Sequence, residues 1–264
     1  GHSAPPRGSE YEAPIERPEH IFRASAESER ENIFILSGQD MSLDIMANDI
    51  GIIPGMPTVL RSQTSSYNGL YKLYCGSADV CTVHLWDEKT KSYNIPYIEH
   101  MLPGMSAVVA RLFGRMTGLY VKKGNPLGIR SWEDLGRGDV KIVNREAGSG
   151  TRVLLDSKLK SCGIKPSRVP GYDNVKTSHF SVASAVSLGE GDVGVGMQAV
   201  GRQNSDIEFI PQQKEWVDIV FFAEQRNPLP YRVILDYITS ERFMSAVRQI
   251  GDYDFTETGR IFRP

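Results

Sequence analysis

The run from Asn144 to Arg152, NREAGSGTR, holds the densest set of groups able to grip a negatively charged ligand. Gly148 and Gly150 let the backbone come close to a bound molecule, Ser149 and Thr151 supply hydroxyls, and Arg145 and Arg152 supply charge. The run follows an apolar stretch, Val140 to Val143, that reads as a buried strand. It leads into Val153, Leu154, Leu155 and Leu159, whose spacing predicts a helix. A strand that feeds a helix through a glycine-rich turn leaves the first N–H groups of the helix free and its positive end facing outward, which suits an oxyanion or a carboxylate. The competing reading is a plain glycine-rich turn, with Arg152 facing solvent or paired to Asp156 one turn along.

Ser37, Gln39 and Asp40 hold the same strand-to-helix position after an earlier predicted strand, so two such turns can face each other across a cleft. Asp40 read alone is an N-cap, and its carboxylate opposes a bare dianion unless a cation, a proton or a donor intervenes. Ser65 and Ser66 open the next predicted helix and offer hydroxyl and N–H donors, either as caps or as ligand contacts. His84 leaves a strand end ahead of Asn94, whose amide is a further candidate ligand contact, and His179 stands beside Ser178 at a helix start. Each histidine is a candidate ligand donor or a structural hydrogen-bonder. No residue set reads as catalytic or as a metal site, because GxSxG, HExxH and zinc spacings are missing and no cofactor motif is complete. GEGDVGVG at 189–196 lacks the Lys-Ser/Thr of a phosphate loop and reads as a turn plus a tightly packed strand.

These candidates need a scaffold, and the patterning supplies one. Residues 1–30 carry four prolines among Glu, Arg and Ser, which predicts a linker or tag-derived arm. Beyond them, strands at Ile33–Leu36, Thr58–Arg61 and Val80–Leu85 alternate with helices at Leu43–Ile50 and Asn68–Tyr74, which predicts a parallel-type sheet faced by helices. Ala107–Leu112 and Thr117–Val121 read as two strands split at Gly114, where the chain crosses between lobes. A second α/β run follows: the strand Val140–Val143, helices at Gly148–Lys160 and Ser178–Leu188, and strands at Val193–Val195, Glu208–Pro211 and Val217–Phe222. Tyr231–Ile250 reads as one helical stretch returning to the first lobe. The expected division is lobe 1 at 31–116 plus 222–264 and lobe 2 at 117–221. A net charge of −2 over 264 residues gives no nucleic-acid or membrane-surface footprint, so any DNA contact belongs to a separate domain. No apolar run is long enough to span a bilayer, no signal peptide is visible, and Cys75, Cys81 and Cys162 read as small core residues; together these point to a cytoplasmic setting, or an extracytoplasmic one if a leader has been removed.

Taken together, SGQDMSLDIMA (37–47), HLWDEKTKSYNIPY (84–97), GLYVKKGNPLGI (118–129), VNREAGSGTRVLLD (143–156), Gly171-Tyr172 and SHFSVASAVSLGEGDVGVG (178–196) resemble the periplasmic-binding-protein-like domain of molybdate-type regulators and molybdopterin-biosynthesis fusions. The resemblance runs from about Ile33 to Ile261. It implies an α/β, two-lobed type II periplasmic-binding-protein-like fold with crossover strands and a central ligand cleft. It further implies a non-enzymatic sensor of molybdate or tungstate, coupled to a partner DNA-binding domain and compatible with a homodimer. An importer's solute-binding component is the alternative, and a native helix-turn-helix or lipobox leader would tell the two apart. Asp40 and Glu146 flank the anion loops, so an organic ligand bearing an amine or a pterin-like ring also stays open.

Overall fold

The computed structural model describes residues 32–264, and the expected arm at 1–30 lies outside them. The first α/β run forms as the patterning predicts: β1 (Ile33–Ser37), α1 (Ser42–Gly51), β2 (Thr58–Ser62), α2 (Ser66–Tyr74) and β3 (Val80–Val83). A short hairpin, β4 (Trp86–Asp87) with β5 (Ser92–Tyr93), and α3 (Ile95–Met101) lead to β6 (Ala107–Lys122). The second run is β7 (Ile142–Arg145), α4 (Gly150–Ser161), β8 (Val175–Lys176), α5 (His179–Ser187), β9 (Val193–Met197), α6 (Gln198–Gln203) and β10 (Ile207–Phe222). The chain closes with α7 (Leu229–Ile238), α8 (Glu241–Arg248), β11 (Tyr253–Asp254) and β12 (Ile261–Phe262).

Among the described residues one sheet runs in the order β2-β1-β3-β10-β6-β9-β7-β8, with β11 and β12 also pairing β6. It is mixed rather than parallel. β1 and β3 are parallel near one end, and β7 is parallel to both β8 and β9 at the other. Between them β10 runs antiparallel to β3 and to β6, and β6 antiparallel to β9. The sequence reading missed this because it cut each central strand in two. β6 continues through Gly114, where a side chain would meet Lys214 and Trp216 on the neighbouring strand. This glycine makes room for a large cross-strand neighbour and does not end the strand. β10 continues past Pro211 by shifting register between Pro211 and Gln213, as expected where a residue lacks an N–H to pair. The two strands are therefore 16 residues each and span both α/β runs.

Two other expectations need correction. The helical stretch from Tyr231 breaks at Thr239, because the Ser240 hydroxyl accepts from Phe243 N at 3.2 Å and starts α8 afresh. Cys75 is exposed at the end of α2 and Cys162 is half-buried, so only Cys81 is a core thiol; burial pushes its pKa upward.

The cores divide along the sheet. Residues of 34–113 and 217–247 build two apolar clusters, around Phe113 and Ile234 and around Leu70 and Val109. Residues of 119–210 build two more, around Leu155 and Val193 and around Tyr120 and Val182. β6 and β10 carry side chains into both groups. Their contact is tight: a Cβ on Gly118 would lie 2.2 Å from the Ile210 carbonyl oxygen. Because backbone cannot swing aside as a side chain can, Gly118→Ala is expected to destabilise the fold by about 1–3 kcal/mol. Urea unfolding with an unchanged midpoint would refute the close approach.

Candidate functional site

The chain ends of β1, β3 and β7 deliver their loops to one place. Ser37 and Thr64 share a hydroxyl–hydroxyl bond of 2.6 Å after β1 and β2. Ser149 caps α4, its oxygen accepting from Arg152 N at 3.2 Å. Tyr67 N donates to Gly148 O at 3.2 Å, joining the start of α2 to the loop before α4. Gly148 has a φ of 85°, in the left-handed region that favours glycine, and a Cβ there would lie 3.3 Å from Ser65 Oγ. At Gly150 a Cβ would lie 2.4 Å from His84 Nδ1 and 2.5 Å from His84 O, so the first helical residue of α4 sits flush against the end of β3.

Gln39 ties the two runs together on the outer side. Its amide nitrogen donates to Glu146 Oε1 at 3.1 Å, and its amide oxygen accepts from Arg145 Nη2 at 2.8 Å. Arg145 is itself forked onto Glu146, with bonds of 2.7 and 2.9 Å, and reaches Thr177 O at 3.3 Å. Burial raises the Glu146 pKa, but the Arg145 contacts outweigh it and hold the carboxyl below its ordinary value. Both acids flanking the loops therefore have a cationic partner within the protein. Glu146 is paired to Arg145, and Asp40 accepts from Ser42 N at 2.8 Å and from Arg115.

Arg115 is the group that the sequence reading missed. It stands directly opposite Glu215 in the β6–β10 register and donates through Nε to Glu215 Oε1 at 2.5 Å. Its Nη1 reaches Asp40 and also Met197 Sδ at 3.6 Å. Glu215 Oε2 lies 3.3 Å from His84 Nδ1. Burial pushes the Glu215 pKa up, yet Arg115 and then His84 pull it well below the usual carboxylate range. A signal was present: an arginine inside the apolar run Ala107–Lys122 must find a buried partner. What the sequence withholds is the partner, 100 residues away.

Beside this network lies a cavity of about 130 Å³. Its polar wall includes Gln39, Asp40, Thr64, Ser66, Thr82, His84, Arg115 and His179, and its apolar wall Met41, Phe180, Met197, Val200 and Val217. Burial, followed by the charges of Arg145 and Arg115, holds the His179 imidazole well below the usual histidine range, so it is neutral. The unfolded chain then takes up a proton below about pH 6.5 that the folded chain refuses. His179 should therefore leave stability intact above pH 6.5 and erode it as pH falls below that value, by at most about 1.4 kcal/mol per pH unit. Urea titrations at pH 7.5, 6.5 and 5.5 should show this slope and its loss in His179→Phe; an identical slope in the variant would disprove it.

Of the residues expected at the site, Gln39, Asp40, Ser66, His84 and His179 line this cavity. Ser37, Ser65, Arg145, Gly148, Ser149, Gly150 and Thr151 gather next to it, where the loop before α4 meets α2 and His84. Two are corrected. Asn94 is fully buried and spent on the backbone and core: its Oδ1 accepts from Leu85 N at 2.6 Å, and its Nδ2 donates to Trp216 O and Asp218 Oδ2. Arg152 turns away to Asp156 at 3.1 Å and stacks over the Tyr172 ring at 4.1 Å. Among the described residues, five side-chain atoms are buried with no hydrogen-bond partner, Ser42 Oγ, Ser65 Oγ, Thr151 Oγ1, His179 Nδ1 and Tyr253 Oη, and Ser65, Thr151 and His179 belong to the expected site.

A mixed α/β sheet whose two ends are bridged by long shared strands, with helix starts converging beside a cavity, defines a periplasmic-binding-protein-like fold. The chain belongs to this family: the model for the PBP superfamily domain, PBP-like, matches residues 54–239. It is 37% identical over 256 residues to YvgK, an uncharacterized protein of Bacillus subtilis (strain 168), covering 97% of this chain and 81% of YvgK. Among solved structures it resembles a phosphate ABC transporter substrate-binding protein with bound phosphate from Clostridium perfringens, at a TM-score of 0.61 and 16% identity, covering 83% of this chain and 97% of that one. It also resembles the CcmR regulatory domain of Synechocystis PCC6803 in complex with 2-PG, at a TM-score of 0.59 and 14% identity, covering 83% and 99%. No helix among the described residues is long and apolar enough to cross a membrane.

Proposed function

We propose that this chain is a binding domain for a small oxyanion or oxyanion-bearing molecule, held where the start of α4 meets the start of α2. The observation that carries the reading is the pair of hydroxyls on Ser65 and Thr151, both buried and both without a partner among the described residues. A buried hydroxyl left unmatched costs about 1–3 kcal/mol, so two at one helix–helix meeting point argue for a ligand that completes them. The N–H groups at the helix starts add donors of the sign an anion needs. The bound phosphate and 2-PG of the two structural neighbours are anions and agree with this chemistry.

Molybdate and tungstate are the inorganic candidates that the regulator resemblance favours. In this reading, lobe 1 (31–116 and 222–264) and lobe 2 (117–221) close on the anion without turning it over, and a separate DNA-binding domain senses the closure. Contacts made to both lobes at once would supply the closing free energy.

The test is a thermal melt against molybdate, tungstate, sulfate and phosphate. A ligand at 100 times its dissociation constant adds about 2.7 kcal/mol, which in a chain of this size raises the melting temperature by roughly 5–10 °C. Ser149→Ala and Thr151→Val should each weaken the responding anion by roughly 10–100-fold, the worth of one hydrogen bond to a charge. A flat melt with every anion would remove the reading.

A further inference from the structure

We infer that the anion subsite adjoins a second subsite, the cavity on the other side of His84, which takes the apolar body and one uncharged hydrogen-bonding group of a small organic anion. The inference rests on the oxyanion reading above and narrows its ligand class from a bare tetrahedral ion to an organic carboxylate or phosphate monoester.

Continuity comes first. His84 lines the cavity while its ring lies against Gly150, and Ser66 lines it next to Tyr67, which bonds Gly148. The two places share the His84 ring and Ser66 as a wall, so one molecule can set its charged head at the start of α4 and its remainder in the cavity once that ring turns aside.

The chemistry of the wall then decides what the remainder is. Met41, Phe180, Met197, Val200 and Val217 make up the apolar side, with Phe180 62% exposed and Met41 43% exposed. A hydrated tetrahedral oxyanion gains nothing from apolar neighbours, whereas a hydrocarbon body buries them and itself together. At about 130 Å³ the cavity is close to the ~150 Å³ apolar space that takes a benzene ring.

Charge excludes a second anionic group. Arg115 is the cation in the wall, and Asp40 and Glu215 already take two of its faces. One buried cation against two buried carboxylates repels further negative charge. Among the groups free to meet the ligand is His179 Nδ1, buried and unpartnered, on a neutral ring that can donate to a carbonyl or accept from a hydroxyl.

Matched probes test this on the full chain by calorimetry: acetate against benzoate and 4-hydroxybenzoate, and inorganic phosphate and molybdate against phenyl phosphate. The ring-bearing probes should bind at least tenfold more tightly than the ion carrying the same head. Val200→Phe, which fills the cavity, should erase that advantage. His179→Phe should erase the extra affinity of the hydroxylated ring while keeping the advantage of the plain one, which guards against a Val200 variant that fails to fold. Equal affinity for acetate and benzoate, and for phosphate and phenyl phosphate, overturns the second subsite and leaves the oxyanion reading standing. Absence of binding by every anion, with or without a ring, overturns the oxyanion reading and the subsite with it.

Discussion

Arg115→Met is expected to destabilise the fold by about 3–5 kcal/mol, the cost of leaving buried carboxylates without their cation. Arg115, Asp40 and Glu215 have side chains 5%, 4% and 1% exposed, so water cannot take over the role of the guanidinium. The loss would lower the melting temperature by roughly 10 °C in a chain of this size. Its pH dependence is a sharper signature than its size. In the wild type the Glu215 pKa is held below its ordinary value, so its contribution is fully present above about pH 4.5 and is lost as pH falls below that. In the variant the same carboxyl is buried without Arg115, desolvation raises its pKa, and protonation relieves the strain. The gap between the two proteins should thus narrow as pH falls from 7 toward 5. Asp40→Asn and Glu215→Gln added to Arg115→Met should recover most of the loss, since neutral groups of the same shape need no cation. Denaturant unfolding measures all three; a single-variant loss under about 1 kcal/mol would mean that the network is solvated.

The same network marks the boundary of what the sequence discloses. Local features were legible: the strand–turn–helix at 140–160 and the first α/β run follow from spacing and glycine placement, and β1, α1, β2, α2 and β3 appear within a few residues of expectation. Non-local ones were not. Gly114 and Pro211 look like strand breaks in one dimension, because the reason for the glycine is Trp216 on another strand and the proline is absorbed by a register shift against β6. The α/β alternation alone suggests a parallel sheet, while the antiparallel centre depends on pairing residues such as Arg115 and Glu215 that are 100 positions apart. The site divides in the same way. NREAGSGTR announced a helix start built for close approach, but only the fold shows that the approach is made against His84. Likewise the Asn94 amide is a candidate ligand contact in the sequence; in the fold its oxygen takes Leu85 N and its nitrogen Asp218, 124 residues on.

Gly150→Ala should lower anion affinity by far more than it lowers stability. Gly150 is the first helical residue of α4, so alanine suits its backbone and raises helix propensity by up to about 1 kcal/mol. Yet the added methyl would lie 2.4 Å from His84 Nδ1 and 2.5 Å from His84 O, well inside contact distance. The ring can rotate; the carbonyl is backbone and cannot. The start of α4 must then back away from the end of β3, carrying Ser149 and Thr151 from Ser65 and stretching the Tyr67–Gly148 bond of 3.2 Å. An anion would keep the donors of one side and lose those of the other. Two lost hydrogen bonds to a charge are worth at least about 3 kcal/mol, or more than 100-fold in affinity. The backbone clash outweighs the gain in helix propensity, as it does at Gly118, so the expected result is a free protein that still folds but is destabilised by about 1–3 kcal/mol, and an anion titration that is nearly flat at a temperature where the variant is fully folded. Affinity for molybdate or phosphate retained within threefold would show that the ligand does not need this contact, and would place the binding determinants in the cavity alone.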